Sequence, residues 1–149
     1  MSIILYTPSA MYADSQGTCG SSRLLCIQKL FREGNTVLGV CGSVDHAESL
    51  LHWWRNGRNP EKWPAVQKTD DYSILLEGTR DGVLVYERSP FPWKPRRNVG
   101  TRGSFHYAVG SGAPVCRAAL LAGADPLEAM RITCEISDGC GGEIQVQPF

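Results

Sequence analysis

Several features that would define a function class are missing from this sequence. The 149 residues include 15 basic and 15 acidic ones, so the formal net charge is zero. This balance argues against a surface dedicated to nucleic acid or to anionic membranes. No apolar run approaches the roughly 20 residues that span a bilayer, and the amino terminus lacks a basic stretch followed by an apolar one. We therefore expect a cytoplasmic protein that binds neither nucleic acid nor membrane.

Metal-ligand spacing and a nucleotide-phosphate loop are absent as well. The six cysteines form no C-x-x-C pair and the three histidines are scattered, so we expect no metal and no cofactor. The chain also contains no GxxxxGK[ST] motif, so we expect no nucleotide-phosphate loop in it. Apolar neighbours predict that the cysteines are buried free thiols in a reducing compartment. These cysteines are Cys19, Cys26, Cys41, Cys116, Cys134 and Cys140.

What the sequence does contain fits one domain over residues 1–149. A chain of this length can bury roughly 70% of its unfolded surface without disulfides. Apolar runs and turn residues predict strands in the first half, then a helix capped by Ser43, a hairpin, a strand, two helices and a last strand. The predicted strands are 3–6, 10–14, 26–31, 36–41, 72–77, 83–87, 104–109 and 143–146, and the predicted helices are 44–54, 113–122 and 126–136. This order implies an α+β layered architecture.

Two segments rich in proline and tryptophan are less regular. Residues 56–71 read as a loop or a poorly marked helix. Residues 89–97 contain three prolines, which excludes a central strand and favours a solvated connecting loop over a nucleic-acid site. The His52-Trp53-Trp54 and Phe91-Pro92-Trp93 segments fit either subunit contacts, where tryptophan is enriched, or the core.

Several local motifs stand in one order along the chain. The carboxy-terminal block YAVGSGAPVCRAALLAGADPLEAMRITCEISDGCGGEIQV gives a strand ending in GSG, a small-residue helix, a second helix and a glycine-rich turn into the last strand. SIILYTPSAMYADSQGT, a strand with a lysine and TVLGVCGS occupy the amino-terminal half. Together they resemble the proteasome β-subunit and HslV family of N-terminal nucleophile hydrolases. The resemblance implies a four-layer αββα sandwich of two antiparallel sheets, and the short length looks closest to bacterial and phage members.

The resemblance also implies site residues. Ser2 is the nucleophile once Met1 is removed, because the freed α-amino group then serves as its base. Lys29 tunes the Ser2 hydroxyl and its α-amino group, and Asp14 pairs with the lysine cation. Gly39 supplies a backbone N–H to the oxyanion hole, and Ser111 lies near the α-amino group. Four of these residues have a structural alternative: Ser2 as the polar start of a strand, Lys29 as a snorkelling or edge-strand lysine, Gly39 as a packing glycine and Ser111 as a turn serine.

One stretch departs from the family pattern. The aspartate and serine that usually precede the last glycine-rich turn correspond to Ser137 and Cys140, with Asp138 one place off. This difference affects the residues that are expected to support the α-amino group of Ser2. The nucleophile is also a serine where threonine is usual.

Three functions remain open. The resemblance favours a peptidase subunit that assembles into a homo-oligomeric ring and hydrolyses peptides or unfolded proteins, fed by a separate ATPase unfoldase. The alternative is a non-catalytic ring-forming structural or assembly protein, such as a virion-associated phage component. A third reading is a small-molecule amidase. Enzymatic activity depends on removal of Met1 in each catalytic case.

Overall fold

The computed structural model describes residues 2–19, 21–64, 73–88, 96–98 and 106–149. Strands and helices alternate in groups along these ranges. The strands are β1 (Ile4–Tyr6), β2 (Ala10–Ala13), β3 (Gly17–Cys19), β4 (Ser22–Leu24), β5 (Leu30–Glu33), β6 (Thr36–Gly42), β7 (Ser73–Thr79), β8 (Gly82–Arg88), β9 (Arg96–Asn98), β10 (Tyr107–Val109) and β11 (Gln145–Pro148). The helices are α1 (Val44–Arg55), α2 (Ala113–Leu121) and α3 (Pro126–Ile136), with a short 3-10 turn at Pro60–Lys62.

Two antiparallel sheets form the centre of the molecule. One has four strands in the order β10–β1–β2–β11, and the other has five in the order β5–β6–β7–β8–β9. Strands β3 and β4 form a separate two-stranded hairpin. Ile4 of β1 lies opposite Val109 on one side and Ala13 on the other, so β1 is a central strand whose start is fixed by two neighbours.

Three apolar clusters separate four layers. Ile4, Met11 and Leu76 pack between the two sheets. Ile3 and Leu5, which point to the opposite face of β1 because strand side chains alternate, pack with residues of α2 and α3. On the far side, residues of α1 pack on the five-stranded sheet. The resulting order of α1, two sheets, and α2 with α3 confirms the αββα sandwich.

Local sequence signals explain how the helices begin. Asp125 accepts a hydrogen bond from the Glu128 backbone N–H at 3.0 Å, and Pro126 occupies the first turn of α3, as the capping pattern predicts. Ser43 does precede α1, but its side chain makes no capping hydrogen bond. The predicted Ser43 side-chain cap is therefore wrong, although the helix start is correct.

The segment before Lys29 differs from the prediction. Residues 26–29 are not a strand, and β5 starts at Leu30. The chain instead forms the β3–β4 hairpin, which the sequence analysis missed, and Cys26 after it is exposed rather than buried. Side chains from Ser21 to Leu25 in this hairpin are all exposed. A solvated hairpin has no apolar alternation to reveal it.

The tryptophans after β6 belong to the core. Trp53 is only 4% exposed, and its ring centroid lies 4.7 Å from the ring centroid of Trp63. Trp54 donates its indole N–H to Glu77 at 2.9 Å. These contacts support the core reading of that segment, whereas the Phe91-Pro92-Trp93 segment, like much of the predicted 56–71 and 89–97 loops, lies outside the described residues. Within the described ranges, no helix is long and apolar enough to cross a membrane.

Candidate active site

A buried ion pair lies where the two sheets meet the hairpin. The Lys29 Nζ donates to Asp14 Oδ1 at 2.6 Å and to the Gln16 carbonyl oxygen at 2.6 Å. Lys29 is 4% exposed and Asp14 is fully buried. A buried ammonium needs a counter-charge and hydrogen-bond acceptors to offset lost hydration. The Lys29–Asp14 pair implied by the resemblance is present: Asp14 supplies the counter-charge and one acceptor, and the Gln16 carbonyl oxygen supplies a second acceptor.

Asp14 also collects backbone N–H groups from three separate segments. Its Oδ1 accepts from Ile3 at 3.0 Å, and its Oδ2 accepts from Gln16 at 3.3 Å and from Gly141 at 3.1 Å. An ionised carboxylate provides four lone-pair sites for such bonds. Asp14 therefore fixes the chain just after Ser2, the turn after β2 and the glycine-rich turn before β11 around one charge.

The GSG turn after β10 holds the backbone of Ser2. The Ser2 backbone N–H donates to Ser111 Oγ at 3.2 Å, and the Gly112 N–H donates to the Ser2 carbonyl oxygen at 3.2 Å. Gly110 has φ +102°, and a Cβ there would lie 2.2 Å from the Ser2 carbonyl oxygen. Glycine is required at position 110 because both the backbone conformation and the close approach exclude a side chain.

The structure thus brings four of the five predicted site residues together. Ser111 contacts the backbone nitrogen of Ser2, while Asp14 contacts both the next residue, Ile3, and Lys29 through the same oxygen. Ser2 itself is buried, with 4% of its surface exposed. The ammonium of Lys29 therefore lies close to the start of β1.

Gly39 occupies a different environment, inside β6. It lies opposite Leu30 in β5 and Leu76 in β7. A Cβ at this position would lie 2.7 Å from Met11 Cε and 3.0 Å from Ile4 Cγ2. Close packing between the sheets is therefore one sufficient reason for glycine at position 39. Its role as an oxyanion donor stays a prediction.

Cys140 stands where the family pattern has a serine, and its thiol lies beside the GSG turn. A Cβ on Gly112 would lie 2.6 Å from Cys140 Sγ. Burial raises the pKa of the Cys140 thiol, and the negative charge of Asp14 acts in the same direction. Asp138 is exposed, and it contributes only its carbonyl oxygen, which accepts from Gln16 Nε2 at 2.9 Å. A thiol thus takes the position next to Ser111.

Cys41, at the end of β6, is a poor candidate for the nucleophile. Burial raises the pKa of Cys41 to about 11, although the positive charge of Lys29 acts in the opposite direction. A thiol must ionise to attack, and this one stays protonated at neutral pH. Across the described ranges, no three His, Cys, Asp or Glu side chains are grouped to hold a metal ion.

Sequence reasoning missed two contributors to this site. The Gln16 carbonyl oxygen is the second acceptor for Lys29, and the Gly141 N–H binds Asp14. Gly141 belongs to a glycine-rich turn that the sequence marks clearly, and a Cβ at this position would lie 2.6 Å from Gln16 Oε1. A backbone carbonyl such as that of Gln16 leaves no sequence signal.

No family model matches the chain, and no curated protein matches it. Among solved structures, eukaryotic HslV from Trypanosoma brucei is 21% identical with a TM-score of 0.71, covering 98% of each chain. Thiobacillus denitrificans BPH is 16% identical with a TM-score of 0.68, covering 99% of this chain and 96% of that one. Anbu from Yersinia bercovieri is 12% identical with a TM-score of 0.55, covering 99% and 80%.

The chain is therefore an α+β protein with the sandwich typical of N-terminal nucleophile hydrolases. More specifically, it shares the fold of HslV and of the bacterial proteasome-like proteins BPH and Anbu. At these identities the likeness establishes the fold. Function depends on the site.

Proposed function

We propose that this protein is a proteasome-like peptidase that uses Ser2 as an amino-terminal nucleophile after loss of Met1. The observation that carries the proposal is the position of the Ser2 backbone nitrogen, 3.2 Å from the Ser111 hydroxyl, with the buried Lys29–Asp14 pair beside the following residue. Once Met1 is removed, that nitrogen becomes a free amine next to the Ser2 hydroxyl. The small side chain of Ser2 suits removal of the initiator methionine.

The residues divide the chemistry between them. The α-amine has an ordinary pKa of about 7.7–8.0, so it is a competent base near neutral pH. It accepts the proton of the Ser2 hydroxyl while the oxygen attacks a peptide carbonyl. The Lys29 ammonium favours the neutral amine and stabilises the developing alkoxide. The resulting α-ammonium gives this proton to the leaving amine of the substrate, and water then hydrolyses the acyl-enzyme ester on Ser2.

The proposed substrate is a peptide or an unfolded protein, and the proposed assembly is a homo-oligomeric ring in the cytoplasm that a separate ATPase can feed. The fold that this chain shares with HslV supports the ring. Size-exclusion chromatography with light scattering tests the ring, since a stable monomer at micromolar concentration would contradict it.

The decisive experiment compares two amino termini on the same chain. A cleavable fusion is trimmed by a protease to leave either Ser2 or one extra residue before Ser2. We expect peptide hydrolysis only from the form that starts at Ser2, because the extended form has an amide in place of the base. Intact mass verifies each product. Equal activity of the two forms, or none from either, would contradict the mechanism.

Epoxomicin offers a second test, because a complex of Thiobacillus denitrificans BPH with epoxomicin has this fold, with a TM-score of 0.66 and 13% identity. We expect one epoxomicin adduct per chain that peptide mapping places on residue 2, and none on Ser2→Ala. The amine-blocked form is the matched control. Complete absence of an adduct and of turnover would favour the non-catalytic assembly role.

A further inference from the structure

Gln145, the first residue of β11, contacts both members of the buried ion pair through their backbones. Its Oε1 accepts from the Lys29 N–H at 2.9 Å and from the Leu30 N–H at 3.2 Å. Its Nε2 donates to the Asp14 carbonyl oxygen at 3.3 Å and to the Ile27 carbonyl oxygen at 2.7 Å. One side-chain amide therefore joins the turn after β2 to the start of β5.

This arrangement uses the full hydrogen-bonding capacity of the amide. A side-chain amide has two N–H donors and an oxygen with two lone pairs, and all four are engaged. The partners also fix its orientation, because exchanging the oxygen and the nitrogen would set donors against donors and carbonyl oxygens against a carbonyl oxygen. No other residue type has the same donors and acceptors at this length.

Between Cys26 and Lys29 the backbone has two backbone hydrogen bonds to described residues besides those of Gln145, and the first joins the Ile27 N–H to the Ser15 carbonyl oxygen at 2.9 Å. Residues 26–29 belong to no strand. The side chains of the preceding β3–β4 hairpin from Ser21 to Leu25 are exposed to solvent. The Lys29 carbonyl oxygen accepts a hydrogen bond from the Val40 N–H at 2.9 Å. The Lys29 N–H donates its hydrogen bond to Gln145. The position of the ammonium therefore depends on the position of this backbone.

We propose that Gln145 is a positioning residue that sets where the Lys29 ammonium lies relative to Asp14 and Ser2. Its amide holds the backbone of Lys29 at a fixed distance from the backbone of Asp14, so the two side chains meet in one geometry. The inference deepens the proposed peptidase function and rests on it for the effect on turnover. The effect of Gln145 on the position of Lys29 relative to Asp14 can be tested even if the protein has no peptidase activity.

The main variant is Gln145→Leu, which keeps the size of the side chain and removes all four hydrogen bonds. The matched control is Gln147→Leu in the same strand, on the same face, since Gln147 makes no side-chain hydrogen bond to any described residue. We expect kcat for peptide hydrolysis to fall at least about 10-fold with KM within about 2-fold, because small misplacements of catalytic groups act on the chemical step. The control retains both constants.

A second variant covers the case in which Gln145→Leu does not fold. In Gln145→Glu a neutral carboxyl group can still accept from Lys29 and donate to a carbonyl oxygen, whereas the carboxylate only accepts. We expect its kcat relative to wild type to rise as the pH is lowered from about 8 to about 5. A ratio that does not change with pH would overturn the proposal.

Crystal structures of the same variants test the geometry without any activity. We expect the Lys29 Nζ to move away from Asp14 Oδ1 in Gln145→Leu and to remain at 2.6 Å in Gln147→Leu. An unchanged ion pair together with an unchanged kcat in Gln145→Leu would overturn the inference. If wild type shows no turnover, the proposed function fails, and the displacement of Lys29 still decides the role of Gln145.

Discussion

The Nζ of Lys29 lies 2.6 Å from Oδ1 of Asp14, and both side chains are almost completely shielded from water. That oxygen also accepts the N–H of Ile3, the residue after the proposed nucleophile. The ion pair is therefore both a part of the core and the neighbour of the reactive group. A substitution in this pair is therefore expected to change both stability and activity.

The first prediction concerns stability. Asp14→Ala leaves the Lys29 ammonium buried without a counter-charge and removes the acceptor of three backbone N–H groups. We expect the free energy of unfolding in urea to fall by about 3–5 kcal/mol. The control is Arg131→Ala, which breaks the exposed Arg131–Glu128 pair at 3.4 Å and should cost less than about 1 kcal/mol. Similar costs for the two variants would show that the buried pair is not structural.

The second prediction concerns activity without stability. Ser111 is exposed but accepts the Ser2 N–H. Ser111→Ala removes a hydrogen bond that would contact the free amine. The amine becomes an ammonium as it takes the Ser2 hydroxyl proton, and hydrogen bonds to charged groups contribute about 1.5–3 kcal/mol, so we expect kcat/KM to fall roughly 10- to 100-fold. The melting temperature should stay within about 2 °C of wild type, and a large drop in it would reassign Ser111 to folding.

The third prediction uses two glycines with similar backbone angles. Gly110 has φ +102° and Gly123 has φ +98°, but only a Cβ at position 110 meets another atom, the Ser2 carbonyl oxygen. Both alanine substitutions add backbone strain of about 1–3 kcal/mol. Gly110→Ala should cost more than Gly123→Ala and should also abolish hydrolysis. Denaturant unfolding and peptide assays give both values, and equal losses in stability would refute the close approach.

The fourth prediction concerns alkaline pH. Burial raises the pKa of Cys41 from 9.0 to about 11 in the folded chain, so the unfolded chain loses this proton first. Stability from the buried thiol is complete below about pH 9 and is lost as the pH rises toward 11. The total is about 2–3 kcal/mol at 1.36 kcal/mol per pH unit.

The measurement compares Cys41→Ala with wild type in urea at intervals from pH 8 to pH 11. We expect a shallower loss of unfolding free energy in the variant, because the other titrating groups are common to both proteins. Cys26→Ala, which removes an exposed thiol, is the control and should keep the slope of wild type. Parallel slopes for Cys41→Ala and wild type would contradict the assigned cause.

The sequence predicted the layered fold because its signals are local. Apolar alternation in β1, the Asp125-Pro126 start of α3 and the glycines at positions 110 and 112 each depend on residues a few positions apart. These signals lead to the α+β layering, whereas the αββα sandwich and the nomination of Asp14 and Lys29 follow from the resemblance to the proteasome β-subunit and HslV family. The separation of 15 positions between these two residues is spanned by a hairpin, which the alternation pattern did not reveal.

The tertiary structure decided the contacts made across the chain. The Gln145 amide reaches Lys29 over 116 positions, and the Gly141 N–H reaches Asp14 over 127. Such contacts exist only after two sheets and two turns have packed, and neither a backbone N–H nor a polar strand residue marks its distant partner in the sequence. The same holds for the burial of Trp53 and the exposure of Cys26, because packing against the rest of the fold, rather than residue type, determines which side chains leave water.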